Sequence, residues 1–158
     1  MGIEMSTPMS QIEAVLLQSL QILRAEIVRA LSYLGEQCVI KVRDRSATDS
    51  WIDQTGNLRS SIGYAIYENG RKEIESAFRV VKNGMEGANE GRKMIDELAS
   101  LYSNTYALVV IAAMSYAEYV EAKDNKDVLA STELFARNEV GKYLKKALKR
   151  AELKISKL

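Results

Sequence analysis

The sequence has 158 residues, of which 47% are hydrophobic and 27% charged, a size and balance typical of one globular domain and not of a disordered chain. Its 22 Lys and Arg nearly match its 21 Asp and Glu, so no overall field would attract the protein to nucleic acid or to a membrane. The single cysteine, Cys38, excludes an internal disulfide and favours a reducing compartment such as the cytoplasm.

The N-terminus and the longest apolar run argue against export and membrane insertion. Residues Met1 to Ser6 carry an acidic residue and no basic residue before the first apolar stretch, so they do not resemble a signal peptide. The most apolar run, Ala107 to Met114, is far shorter than the roughly 18 residues of a spanning helix. We therefore predict a soluble protein, made in the cytoplasm, with no membrane partner.

A long amphipathic helix is the first predicted element, from about Ser10 to Val42. Its apolar residues recur at steps of three or four, namely Ile12, Leu16, Leu20, Leu23, Ile27, Leu31, Leu34 and Cys38. Ser10 and Glu13 have the spacing of a capping box at the helix start. At 1.5 Å per residue such a helix would be about 50 Å long, so part of its stripe is expected to face another subunit. Gly35 leaves open a break into two shorter helices.

Short elements are predicted for the middle of the chain. In chain order they are an exposed loop over residues 43–54, a turn and one helical turn over 55–62 that Gly63 ends, a strand over 64–67 and a returning strand over 74–81. Between the strands, Asn69-Gly70 is the signal of a tight β-hairpin.

The second half of the chain begins with spaced glycines in residues 83–91, which lack the order of a nucleotide-binding loop and predict a mobile connector. Further elements are a short helix around Met94 to Leu101, a strand over 105–114, a helical turn or strand continuation over 115–122, an exposed loop over 123–131 and a final helix from Thr132 to about Leu153. The nearly continuous apolar character of the strand predicts a central position in the sheet.

Together these elements predict a single α+β domain over residues 1–158. A long N-terminal helix and a C-terminal helix are expected to pack on a small antiparallel sheet formed by the hairpin and a central strand. Residues 1–9 are expected to form a flexible N-terminus.

The residue types argue against an enzyme. The sequence contains no histidine, which excludes the commonest general base and the usual catalytic triads and zinc sites. Cys38 lies on the apolar stripe of the first helix, where thiols are inert. Four carboxylates recur at steps of three and leave a metal-dependent enzyme as a minor alternative: Glu118, Glu121, Asp124 and Asp127. We predict no catalytic residue, no metal site and no cofactor.

The predicted C-terminal helix is strongly basic, with Lys142, Lys145, Lys146, Lys149 and Arg150. These cations are candidates for contacts with DNA phosphates, and a small nucleic-acid-binding module is therefore the alternative function. They also fit a purely structural role, since cations near the C-terminus of a helix oppose its macrodipole.

Two segments resemble the tail-completion, or head-tail joining, proteins of long-tailed bacteriophages. The first, Thr55-Gly56-Asn57-Leu58-Arg59-Ser60-Ser61-Ile62, is similar to that family's T-G-x-L-x-x-S-I element after a long N-terminal helix. The second, Tyr116-Ala117-Glu118-Tyr119-Val120-Glu121, is similar to its Y-A-x-Y-V-E element after a strand. Leu134-Phe135-Ala136-Arg137 is similar to part of its P-F-L-R-P-A element. Ala122-Lys123 replaces Phe-Gly and both prolines are absent, as in a divergent member.

The resemblance implies a virion protein that forms a ring, of six copies by analogy, between the tail tube and the connector of the head. No cofactor is implied, and contact with DNA is left open. The family-motif positions are Thr55, Gly56, Leu58, Ser61, Tyr116, Ala117, Tyr119, Glu121 and Phe135. Gly56 is expected to take a positive φ, and Tyr116, Tyr119 and Glu121 to orient the loop that follows them. The candidate interface consists of Lys123, Asp124 and Asp127 together with the five basic residues of the last helix.

Overall fold

A computed structural model of the protein describes residues 7–45, 52–122 and 128–158. In chain order the elements are α1 (Met9–Arg43), α2 (Asn57–Ser60), β1 (Ile62–Glu68), β2 (Arg71–Glu75), α3 (Met85–Leu98), a short 3-10 helix (Ala99–Tyr102), β3 (Tyr106–Ala112), α4 (Ala117–Ala122) and α5 (Ala130–Ile155). The predicted α+β fold, with two long helices and a small antiparallel sheet, is confirmed. None of the helices within these residues is both long and apolar enough to cross a membrane.

The sheet has the order β2-β1-β3, and both pairings are antiparallel. β1 is central and sends alternate side chains to two apolar clusters. On one face Tyr64 and Ile66 pack with residues of α1 and α5, and on the other face Ala65 and Tyr67 pack with Ile95 of α3. The sheet is therefore covered by helices on both faces.

The prediction that the later strand is central was wrong, because β3 lies at an edge of the sheet. Its apolar run has another cause. Leu108 and Val110 pack toward α1 and α5, while Val109 and Ile111 pack toward α3. An edge strand with both faces covered needs the same composition as a central strand.

α1 is one unbroken helix of 35 residues, so the alternative of a break at Gly35 is wrong. A Cβ at Gly35 would lie 2.5 Å from the ring of Tyr64, and the glycine therefore lets that ring pack against the helix.

The predicted capping box is also wrong. The helix already begins at Met9 after Pro8, without a side-chain cap, so Ser10 lies within the first turn, and Met9 does not belong to a flexible N-terminus.

The first part of α1 extends beyond the other elements that the structure describes. The two long helices run antiparallel, because Glu26 meets Arg150, Tyr33 meets Tyr143, and Lys41 lies over the ring of Phe135. Since α5 ends at Ile155, it does not reach residues 9–20 of α1, which we call the α1 extension. Six large apolar side chains there are 43 to 61% exposed: Met9, Ile12, Val15, Leu16, Leu17 and Leu20.

Both strands of the hairpin begin earlier in the sequence than predicted, at Ile62 and Arg71. Asn69 and Gly70 have positive φ values of 50° and 80°, which confirms the tight turn. β2 starts directly after the turn and ends at Glu75, and the extended backbone does not continue to residue 81, since Phe78 has a φ of 45°. Gly63 does not end the preceding turn but lies within β1, where a Cβ would collide with the ring of Phe78.

The mobile connector predicted before α3 was also wrong, since α3 already begins at Met85. A Cβ at Gly87 would collide with the carbonyl of Asn57, and one at Gly91 with the ring of Phe78. These glycines therefore serve close packing. Later in the chain, α4 confirms the helical turn, and α5 begins two residues before the predicted Thr132.

Candidate functional site

The two segments that carry the family resemblance lie on either side of one cleft of about 500 Å³. Thr55, Asn57 and Leu58 of the first segment and Tyr116 of the second line it. The phenol of Tyr116 lies near Thr55 in this lining, and its partial burial, followed by the negative charge of Asp53, raises its pKa. The fold therefore brings together two segments that are about 60 residues apart in the sequence.

The first segment is a tightly packed turn. Gly56 has a φ of 88°, which confirms the expected positive value, and a Cβ there would collide with the carbonyl oxygen of Val81. Leu58 is buried in the core. Ser61 is buried as well, and its hydroxyl donates a 2.8 Å hydrogen bond to the carbonyl of Leu58.

Asp53 fixes this turn from outside the segment. Its carboxylate accepts the backbone N–H of Gly56 at 3.0 Å and that of Arg59 at 3.1 Å. Asp53 is buried, so the prediction of an exposed loop over 43–54 is wrong at this residue. The guanidinium of Arg59 also donates hydrogen bonds to the carbonyls of Arg43 and Arg45, next to the end of α1. No sequence pattern marked the structural roles of Asp53 and Arg59.

The second segment connects β3 to α5. Ala117 is buried, whereas Tyr119 is largely exposed. One carboxylate oxygen of Glu121 accepts the backbone N–H groups of Val128, Leu129 and Ala130 at 3.3, 3.0 and 2.8 Å. Glu121 thus caps the start of α5, where a negative charge also opposes the helix dipole. Val128 is buried, so the prediction of an exposed loop over 123–131 is wrong at this residue, and residues 130–131 are exposed but belong to α5.

The candidate interface residues differ in their surroundings. Lys123, Asp124 and Asp127 lie outside the described residues. Lys142 pairs with Glu139 at 2.6 Å, and Arg150 pairs with Glu26 at 2.7 Å. Lys145, Lys146 and Lys149 are exposed on the outer side of α5. Phe135 lies 5.3 Å from the ammonium of Lys41 and therefore contributes to the contact between α1 and α5.

Glu26 is the one carboxylate in the described residues that is buried between α1 and α5. It is 2% exposed and accepts hydrogen bonds from Lys154 at 2.6 Å and Arg150 at 2.7 Å. These two cations hold the pKa of Glu26 below its ordinary value. No local motif marks Glu26 in the sequence, because its partners are 124 and 128 residues away.

The chemistry that the described residues offer is limited. Within them no three acidic or cysteine side chains converge on a point where a metal ion could bind. Cys38 is buried, and burial raises the pKa of its thiol to about 11, so little of the reactive thiolate forms near neutral pH.

Comparisons of this chain with protein-family models, curated proteins and solved structures found no match.

Proposed function

We propose that the protein is a virion structural protein that completes a phage tail and joins it to the head connector through ring-forming contacts between copies of the chain. Two separate observations support this proposal. The specific role comes from the resemblance of the segments at Thr55 to Ile62 and Tyr116 to Glu121. The assembly mechanism comes from the surface of α1.

The α1 extension is the observation that carries the assembly mechanism. Six large apolar side chains on one helical segment are exposed, and α5 ends before it can cover them. Exposed apolar patches of this kind mark protein contacts in soluble proteins, and their burial in an assembly would be favourable by about 25 cal/mol for each Å². A ring supplies such contacts to every copy without leaving an open end.

The test is the mass of the purified protein by light scattering after size exclusion over a range of concentrations, with negative-stain electron microscopy of the largest species. We expect particles of several 17.7 kDa chains that appear as closed rings with a central opening. A monomer at every concentration, or a compact dimer without an opening, would contradict the proposal.

A nucleic-acid-binding module remains the second candidate because Lys145, Lys146 and Lys149 project together from the outer side of α5. Binding through them would weaken steeply with salt, since each phosphate contact releases a counterion. Fluorescence anisotropy with a labelled DNA duplex at two salt concentrations tests this candidate. Replacing the three lysines by glutamine should abolish the binding, whereas Lys93→Gln on α3 should not.

A further inference from the structure

A groove lies on the outer side of β3, between this strand and the first half of α5. It consists of two adjoining cavities of about 410 and 220 Å³ that share Leu108 and Ala136 as lining residues. The first is lined mainly by apolar side chains, among them Ile27, Leu31 and Val140. Arg137 supplies the one cation in its lining.

The two edges of the sheet differ in how they are protected. β2, with the sequence Arg-Lys-Glu-Ile-Glu, has the charged side chains that discourage pairing with other chains. β3, with the sequence Tyr-Ala-Leu-Val-Val-Ile-Ala, has none, and no strand pairs with its outer side within the described residues. Proteins commonly protect such an edge by covering it with a helix.

We propose, on the basis of the ring assembly above, that the α1 extension of one copy docks in the groove between β3 and α5 of the next copy. The chain then has both halves of the contact, an apolar helix and an apolar groove that no other element covers among residues 7–45, 52–122 and 128–158. The contact is heterologous, because different surfaces of the two copies meet, and repetition of a heterologous contact generates a ring when its rotation closes.

Charge supports this pairing of surfaces. Glu13 is the only charged residue of the α1 extension. It lies on the apolar side of the helix, three and four residues before Leu16 and Leu17. Arg137 at the groove pairs with Glu133 on one side, and its planar guanidinium has further N–H donors. The lining of the groove therefore has one cation, Arg137, and one carboxylate, its partner Glu133, and the remaining N–H donors of Arg137 could receive the carboxylate of Glu13.

The same carboxylate argues against the simplest competing arrangement. If two α1 extensions paired symmetrically through their apolar sides, Glu13 of each copy would enter the shared apolar contact. Like charges in such a contact are destabilising, and no cation of the α1 extension would compensate them.

Site-directed disulfides test the docking. Two variants are prepared separately, Leu16→Cys in the α1 extension and Ala136→Cys in the groove, and are mixed under oxidising conditions. Cys38 is buried and contributes little background. Because a disulfide requires Cα atoms within about 7 Å, we expect the mixture to form a heterodimer crosslink roughly tenfold more than either variant alone. Gln18→Cys and Asn138→Cys, on the outer sides of the two helices, are the matched controls.

Light scattering on the same samples separates the two proposals. A ring mass with no crosslink between positions 16 and 136, or with crosslinks between two copies of Leu16→Cys, overturns the docking and leaves the ring assembly intact. A monomer mass at every concentration overturns both.

A charge exchange between Glu13 and Arg137 tests the docking independently. Glu13→Arg and Arg137→Glu should each lower the fraction of assembled protein, and their combination should restore it. Failure of the double variant to recover the assembly, with each single variant folded by circular dichroism, overturns the pairing of Glu13 with Arg137.

Discussion

At the scale of single residues, a substitution at Gly56 tests whether the turn at Thr55 to Ile62 requires a glycine at this position. Gly56→Ala places a Cβ on a backbone with a φ of 88° and against the carbonyl of Val81. We expect the free energy of unfolding to fall by at least about 2 kcal/mol, measured by urea denaturation. Gly141→Ala is the control, because Gly141 is helical and a Cβ added there would meet nothing within 4 Å. It should stabilise the protein by about 0.5–1 kcal/mol. Equal effects at the two positions would contradict this account.

Glu121 is the second residue whose role can be measured separately. Glu121→Ala removes the acceptor for three backbone N–H groups at the start of α5, so we expect a loss of about 1–2 kcal/mol in the free energy of unfolding. Glu121→Gln keeps one acceptor oxygen and should lose less. Glu118→Ala, an exposed position on the same short helix, should change stability little. If the variants at positions 118 and 121 were equally stable, Glu121 would not be the cap of α5.

At the scale of elements, Glu26 holds α1 to α5 through a pH-dependent contact. Lys154 and then Arg150 lower the pKa of Glu26 in the folded protein below the ordinary 4.5. The folded state therefore binds this proton less readily than the unfolded state, and the stabilisation is fully present above about pH 5. It is lost as the pH falls through the lowered pKa of the folded state.

Glu26→Gln should consequently destabilise the protein at pH 7 and progressively less at pH 4 and below. We expect a loss of about 1 kcal/mol at pH 7, a modest value because both cations are partly exposed and can be hydrated. Urea denaturation at several pH values measures it. Glu139→Gln, which breaks an exposed pair with Lys142, should cost less at pH 7. A constant difference between wild type and Glu26→Gln at all pH values would contradict the assigned role.

The elements also explain why some features could be predicted from the sequence and others could not. The three-to-four periodicity of α1 and the Asn69-Gly70 turn are local signals, and both predictions were confirmed. The place of β3 in the sheet could not be predicted from local sequence, because an edge strand covered on both faces has the same composition as a central strand. The glycines of residues 83–91 were wrongly predicted to form a mobile connector for a related reason. Gly87 permits close contact with a backbone distant in the sequence, and no local pattern distinguishes that use from a flexible connector.

The same distinction applies to the candidate site. The two motif segments could be singled out because each is continuous in the sequence, and the role that their resemblance implies stays a prediction. Asp53 was missed because it lies in a stretch whose polar composition is typical of an exposed loop, although its carboxylate is buried by the turn that it fixes.

At the scale of the whole molecule, the surface proposed for assembly is separate from the core that stabilises the fold. The core between the sheet and the helices is closed without the α1 extension, since none of the exposed apolar residues at positions 9–20 belongs to either apolar cluster of the described residues. Substitutions in the extension should therefore affect association and leave folding almost unchanged. Most apolar substitutions in a protein do not allow this separation, because they alter the core as well.

Replacing Leu16, Leu17 and Leu20 together by glutamine tests this separation. The three side chains are 54 to 61% exposed, so the melting temperature of the isolated chain should stay within a few degrees of wild type. Loss of roughly 3 kcal/mol of apolar burial at each contact would weaken association by about 100-fold. Light scattering should then give the 17.7 kDa mass of one chain at concentrations where we expect wild type to form the proposed rings.

The matched control replaces Gln11, Gln18 and Gln21, on the polar side of the same helix, by alanine. This variant changes the same number of residues in the same part of α1 and should assemble like wild type, because its substitutions leave the apolar side intact. If both triple variants formed rings equally well, the α1 extension would not be the assembly surface. If both lost assembly and helix content together, the effect would be one of helix stability and not of contact.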